Sequence, residues 1–306
     1  MPPPNLSTIL TPTLLTHLAL ARMPFSQTTP LNFTTVSHTI FHSSTFAGTI
    51  KDLAWPALKA ISTLGLPNLP TNLLQYLPPP SSPDFPLQAL GLQVLFDQAP
   101  RALCASVDVR YRYAYFDILS QRLAGEWAAL PPHQRPDTWE RWEALGASFD
   151  WWVVARFWFG AAWVHEESLA GQEMAVGYTN GTREAVEGRT GVRDEYRGDG
   201  GVWTDVCAFP RVYMEGPPGE VGMGGFVFWM CMLMDTHKVV IETFGRYPTV
   251  NAAVGRESTG DEERWLAAFP GWREVEDEVR EVIRRDVWEG SWAPLGDEPR
   301  GEGEKN

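Results

Sequence analysis

No stretch of this chain sustains the two-residue alternation of apolar and polar side chains that a half-buried strand needs. No hairpin turn sits between β-rich runs either. What recurs is apolar spacing of three and four. Leu87, Leu90 and Val94 follow it, and so do Leu233, His237, Ile241 and Phe244. The pattern restricts the chain to an all-α fold of antiparallel helix pairs. At 306 residues the chain is long enough to bury a sizeable core.

Punctuation sets the expected organisation. Residues 1–30 are rich in Pro, Thr and Ser and read as a loosely ordered start. A single helical domain is expected over 31–292. Its first helix, near 44–64, should kink or split at Pro56. The prolines of 77–86 mark a linker or surface insertion, and Pro100 should break or bend the helix that starts at Pro86. Helical periodicity continues over 107–127 and from Trp139 to about Tyr178, the latter as one long helix or as two with a break near Gly146. The Gly- and charge-dense stretch 180–225 reads as long surface loops. Periodicity returns at 226–244 and 260–288, and 293–306 reads as a disordered acidic tail.

Charge narrows the partners. The net charge is −13, which disfavours nucleic acid and anionic membranes. Residues 1–95 carry only Arg22, Lys51, Lys59, Asp52 and Asp84. The most apolar run, WWVVARFWFGAAWV at 151–164, contains Arg156 and is shorter than the ~20 residues a bilayer crossing takes. It is expected as a buried helix. Cys104, Cys207 and Cys231 form no CxxC pair and no zinc spacing, as for thiols in a reducing compartment. With no basic n-region at the start, a cytoplasmic location is expected, with a mitochondrial one as the alternative. The 14 Trp residues supply either a large-residue core or an aromatic-walled pocket.

Three segments place polar groups where apolar ones are expected. In FVFWMCMLMDTHKVVIETFG, His237 falls on the apolar face of a helix that Gly245 should end in a left-handed turn. Arg246 follows, either to satisfy the last carbonyls or to hold a ligand. Thr259 and Glu262 fit a capping box, and Arg256 lies just before that helix start, either as part of an anion site or paired with a carboxylate. In WVHEESLAGQEM, helical spacing puts His165 and Gln172 on one face with Trp158 and Leu169. His165 is there either a core histidine or an acid/base group. Its spacing does not match HExxH. A metal site from His165, Glu167 and His237 is conceivable, but no spacing requires one, and none is expected. In FDQAPR, Asp97 and Arg101 are four apart, positioned to brace the bend at Pro100 or to form part of a site.

In order, LFDQAPR (95–101), WVHEESLAGQ (163–172) and HKVVIETFGRYPTVNAAVGRESTGDEERWL (237–266) resemble the motifs of a helical family filed as domain of unknown function 924. That family's architecture is tetratricopeptide-repeat-like. The resemblance spans about residues 33–270 and is weak before residue 85. It implies an all-helical fold with clustered polar motifs and no settled activity. The matching residues are Asp97, Gln98, Arg101, His165, Glu167, Gln172, His237, Arg246, Asn251 and Arg256. Ala102, Glu166 and Val250 depart from the family's Asn, Ser and Arg, and Phe41-His42 stands where a Trp-Phe pair is expected.

Two functions compete. In the first, these groups converge on a small organic molecule, apolar or anionic. His165 and His237 are the acid/base candidates, Asp97 or Glu167 orients an imidazole, and Arg101, Arg246 and Arg256 hold an anionic group, with Gln98, Gln172 and Asn251 as further contacts. There is no GxSxG, Walker or dinucleotide glycine pattern. The expected chemistry is therefore that of a lyase, isomerase, cyclase or hydrolase without a cofactor, in a biosynthetic setting. In the second, the helices form a groove for a peptide or partner protein, and the polar motifs are braces.

Overall fold

The computed structural model describes residues 4–41, 45–198, 200–269, 275–290 and 292–300. Among them there is no strand. In chain order the helices are α1 (Leu6–Ile9), α2 (Pro12–Arg22), α3 (Phe33–Phe41), α4 (Thr45–Ser62), α5 (Phe85–Leu103), α6 (Val109–Tyr111), α7 (Asp117–Ala128), α8 (Trp139–Ala144), α9 (Phe149–Val164), α10 (Leu169–Thr190), α11 (Ala208–Glu215), α12 (Met223–Phe244), α13 (Gly260–Ala267) and α14 (Asp277–Glu289). A π-helical segment, Arg112–Phe116, joins α6 to α7. Where the sequence suggests one domain over 31–292, the chain divides into two compact units. The first is Met1–Met23, Thr45–Pro136 and Pro248–Asn306. The second is Pro24–Ser44 and Asp137–Tyr247.

The first unit is built on α5, most of whose side chains are buried, with α2, α4 and α7 packed against it. The loosely ordered start expected over 1–30 is not what residues 6–22 show. Thr11 caps α2 by accepting from the Leu14 N–H at 3.2 Å, Pro12 fits its first turn, and Leu14, Leu15, Leu18 and Ala19 are buried. Gly91 makes the α2–α5 approach feasible, since a Cβ there would lie 1.8 Å from the Leu15 carbonyl oxygen. Helix α4 is not split by Pro56, which lies on its exposed face, where water can satisfy the carbonyl it releases. The expected disordered tail also differs over 293–300. The Leu295 side chain is 2% exposed, its N–H donates to Ser62 Oγ at 3.0 Å, and Trp55 Nε1 donates to the Gly296 carbonyl at 3.1 Å. Residues 301–306 lie outside the described residues.

In the second unit α9, α10 and α12 pack on one another, with α3 and α11 against α12 and α8 against α9. Ser148 and Ser168 cap α9 and α10. Helix α10 runs on to Thr190, through 11 residues expected as loop, because Thr182, Arg183 and Val186 bury a continuing face. Helix α12 ends at Gly245, left-handed with φ 70°, as its sequence predicts. It is long and apolar enough to cross a membrane, and 89% of its most apolar window is buried within the protein. That burial accounts for its apolarity without a bilayer. Phe41 meets the Trp229 ring edge-on, 5.1 Å between centroids, while His42 lies outside the described residues.

Candidate functional site

In the second unit the structure brings two of the sequence-named histidines together. The expected helix through His165 breaks there. His165 is the C-cap of α9, its N–H on the Ala161 carbonyl, and it opens the four-residue turn, 165–168, that separates α9 from α10. Leu169, expected on an apolar stripe with His165, is 51% exposed. The spacing argument therefore fails locally, yet the turn still carries His165 to α12. The His165 and His237 ring centroids lie 6.4 Å apart with planes at 73°. Phe209 covers the His237 ring at 3.9 Å, and Tyr247 stands at 5.9 Å from it.

The surroundings of this pair are specified atom by atom. His237 Nδ1 lies 3.0 Å from the Leu233 carbonyl and 3.1 Å from that of Met234. Carbonyls only accept, so neutral His237 carries its proton on Nδ1 and its lone pair on Nε2. Gln172, completely buried, donates through Nε2 to the carbonyls of Val164 and Glu166 at 3.0 and 2.8 Å, which stitches the turn after α9 shut. Its Nε2 also contacts the Tyr247 hydroxyl at 2.9 Å, and that hydroxyl donates to the Val164 carbonyl. Glu167 accepts from the Tyr247 N–H at 2.8 Å. Glu167 and Gln172 thus position the turn that presents His165. Arg246, half-buried, follows the Gly245 cap in the same unit.

The remaining sequence-named residues lie in the first unit. Asp97 is fully buried on α5 and accepts from the Gln98 amide. Arg101 reaches Asp97 Oδ1 at 3.3 Å but forks onto Asp117, at 2.8 and 3.1 Å. Burial by itself lowers the Arg101 pKa, and Asp117 and Asp97 more than reverse this, so the guanidinium is held charged. Asp117 follows directly on the π-helical segment, whose Tyr113 ring lies 5.9 Å from the Arg101 guanidinium. Tyr113 also packs on the cluster of Val107, Val109, Ala253 and Ile283, next to the loop that bears Asn251 and Arg256. Asn251 is buried and donates to Ser258 Oγ at 3.2 Å, and its carbonyl takes the Arg256 N–H at 2.8 Å. The capping box of Thr259 and Glu262 forms as its sequence predicts.

The model of the family described as Bacterial protein of unknown function (DUF924) matches residues 79–269. The chain belongs to the DUF924 family. No curated protein and no solved structure shows significant similarity to it. The DUF924 match takes in all ten sequence-named residues, five in each unit.

Sequence reasoning missed several buried charges of this DUF924 protein. Burial pushes Arg22, on α2, down to about 10, against the pull of Asp97. Its signal was its isolation, as a lone cation in an uncharged N-terminal stretch. Arg156 donates to Thr182 Oγ1 at 2.9 Å and to the Asp137 carbonyl at 3.2 Å, and lies 4.0 Å from the Tyr178 ring centroid. Arg183, 1% exposed, is clamped between Asp194 and Asp235, each at 2.6 Å. Asp235 interrupts the apolar run MCMLMDT, which was the available sign. Among the described residues no cluster of His, Cys, Asp and Glu could hold a metal ion.

Proposed function

We propose that this DUF924 protein is a small-molecule enzyme whose acid/base pair is His165 and His237. The approach of the two imidazoles to 6.4 Å carries this reading. His237, with its lone pair on Nε2, serves as the base, and His165 as the proton donor, facing the same substrate. Glu167, Gln172 and Tyr247 hold the His165 turn. Arg246, directly after the Gly245 cap of the helix that bears His237, is assigned to an anionic group of the substrate. The chemistry is that of a lyase, isomerase, cyclase or hydrolase working without a cofactor on a small organic molecule in the cytoplasm.

A scaffold reading is favoured by a different observation. Asp97, Gln98, Arg101, Glu167 and Gln172 make close bonds to their own neighbourhood. In that case the helices form a repeat-like groove for a peptide or protein. The test replaces His165 or His237 with Ala in a producing cell and profiles metabolites, with circular dichroism confirming that the variants fold. A changed product pool is expected. An unchanged pool beside loss of a co-purifying partner would overturn the enzyme in favour of the scaffold.

A further inference from the structure

Within the second unit, α10 and α12, with Arg197 and Trp203, border an open recess of about 370 Å³ lined by Val176, Asn180, Arg183, Arg197, Trp203 and Asp235. That is near the lower end of the ~300–1,000 Å³ usual for small-ligand sites. None of these residues belongs to the family motifs. Asp235 is two residues before His237 on α12, so the two side chains diverge by roughly 200° around the helix, and the recess is separate from the imidazole pair.

Two buried atoms at this recess lack hydrogen-bond partners. Arg183 Nε bonds Asp194 Oδ2 at 2.6 Å and its Nη1 bonds Thr179 Oγ1 at 3.1 Å, but its Nη2 has none. Asp235 Oδ1 accepts from Thr179 at 2.6 Å. Its Oδ2 pairs electrostatically with Arg183 Nη1 at 2.6 Å without a well-directed hydrogen bond. A donor and an acceptor, both desolvated and next to one another, are costly unless something completes them.

Charge decides what that something is. Among the described residues both cations that line the recess are already ion-paired, Arg183 with Asp194 and Asp235 and Arg197 with Glu187. With these groups engaged, a charged ligand of either sign would have to compete with an existing buried pair. Trp203 adds a flat apolar wall, with the Arg183 guanidinium 5.7 Å from its ring centroid.

We propose that the Arg183–Asp235 recess binds a neutral, planar lactam or amide. Its carbonyl oxygen accepts from Arg183 Nη2, its adjacent N–H donates to Asp235 Oδ2, and its ring lies along Trp203. The test titrates 2-pyridone and uracil into the full-length protein by calorimetry and saturation-transfer NMR, with benzoate and benzamidine as charged counterparts of similar size. The lactams should bind at millimolar or better affinity. Trp203→Ala, which removes a half-buried ring, and Asp235→Asn, which replaces the acceptor by a donor, should each weaken them about tenfold. His165→Ala should leave the affinity unchanged, whatever the metabolite profile of that variant. Equal binding of benzoate or benzamidine, no lactam binding at 10 mM, or full affinity in Trp203→Ala would each overturn the proposal.

Discussion

Asp235 is a carboxylate buried in the long apolar helix α12, and burial sets its protonation. Desolvation raises its pKa from 3.8 to about 6, even though Arg183 and the Thr179 hydroxyl pull the other way. The folded state therefore holds a proton, between pH 3.8 and about 6, that the unfolded chain has already released. This contribution is full below 3.8 and is lost as pH rises through about 6. Asp235→Asn mimics the neutral form and lacks this titration. From about pH 4 to pH 7 the wild type should lose stability relative to Asp235→Asn, on the order of 3 kcal/mol, read from urea unfolding of both proteins. A stability gap that stays constant with pH would contradict the assignment. Single residues of this kind were only partly legible in the sequence. Arg156 and Asp235 each stood out as a charge in an apolar run, but their partners Asp137, Arg183 and Asp194 come from segments whose proximity is set by packing.

Helix ends were legible where one residue type has a steric monopoly. Gly245 takes a positive φ that other residues rarely adopt, and Thr259 with Glu262 satisfies the first amides of α13 from both sides. The break between α9 and α10 was not legible, because HEES holds neither Gly nor Pro. That end is closed from outside by Gln172 and Tyr247, the latter roughly 80 residues further along. Helix–helix distance is a property of the same scale. Gly91→Ala places a Cβ 1.8 Å from the Leu15 oxygen and 2.5 Å from its carbonyl carbon. These are backbone atoms that cannot rotate aside, so α2 and α5 must separate. The expected loss is about 3 kcal/mol or more. Gly125→Ala, on the exposed side of α7 with nothing within 4 Å, should be neutral or gain up to ~1 kcal/mol. Urea midpoints for the two variants test the contrast, and similar midpoints would remove the close approach from the account.

At the scale of the molecule, the all-helical class followed from periodicity, whereas the division into two units did not. Each unit is assembled from stretches far apart in sequence, so the prolines at three of the four crossings, Pro24, Pro136 and Pro248, read in the sequence as turns rather than as boundaries. The end of the described chain shows why composition misled. APLGDEPR is polar and rich in Pro and Gly, yet its few anchoring groups complete buried partners in the first unit. Besides Leu295, the Ala293 carbonyl accepts from the buried Tyr111 hydroxyl at 2.8 Å, and Arg300 Nε donates to the buried Asp108 at 3.0 Å. Burial raises the Asp108 pKa, and Arg300 is the largest influence opposing that rise. Deleting residues 292–306 uncovers the Leu295 site, orphans Tyr111 and Trp55, and leaves Asp108 buried without that counter-ion. The summed cost is on the order of 3–5 kcal/mol. The buried thiols give a reporter in each unit: Cys104 in the first and Cys231 in the second. In the truncated protein Cys104 should become reactive to iodoacetamide at lower urea than in the full chain. Cys231 should keep its full-chain profile, because the contacts described for Ala293, Leu295, Gly296 and Arg300 end in the first unit. Equal Cys104 labelling with and without the segment, followed by peptide mass spectrometry, would show that 292–300 only decorates the first unit and does not hold it.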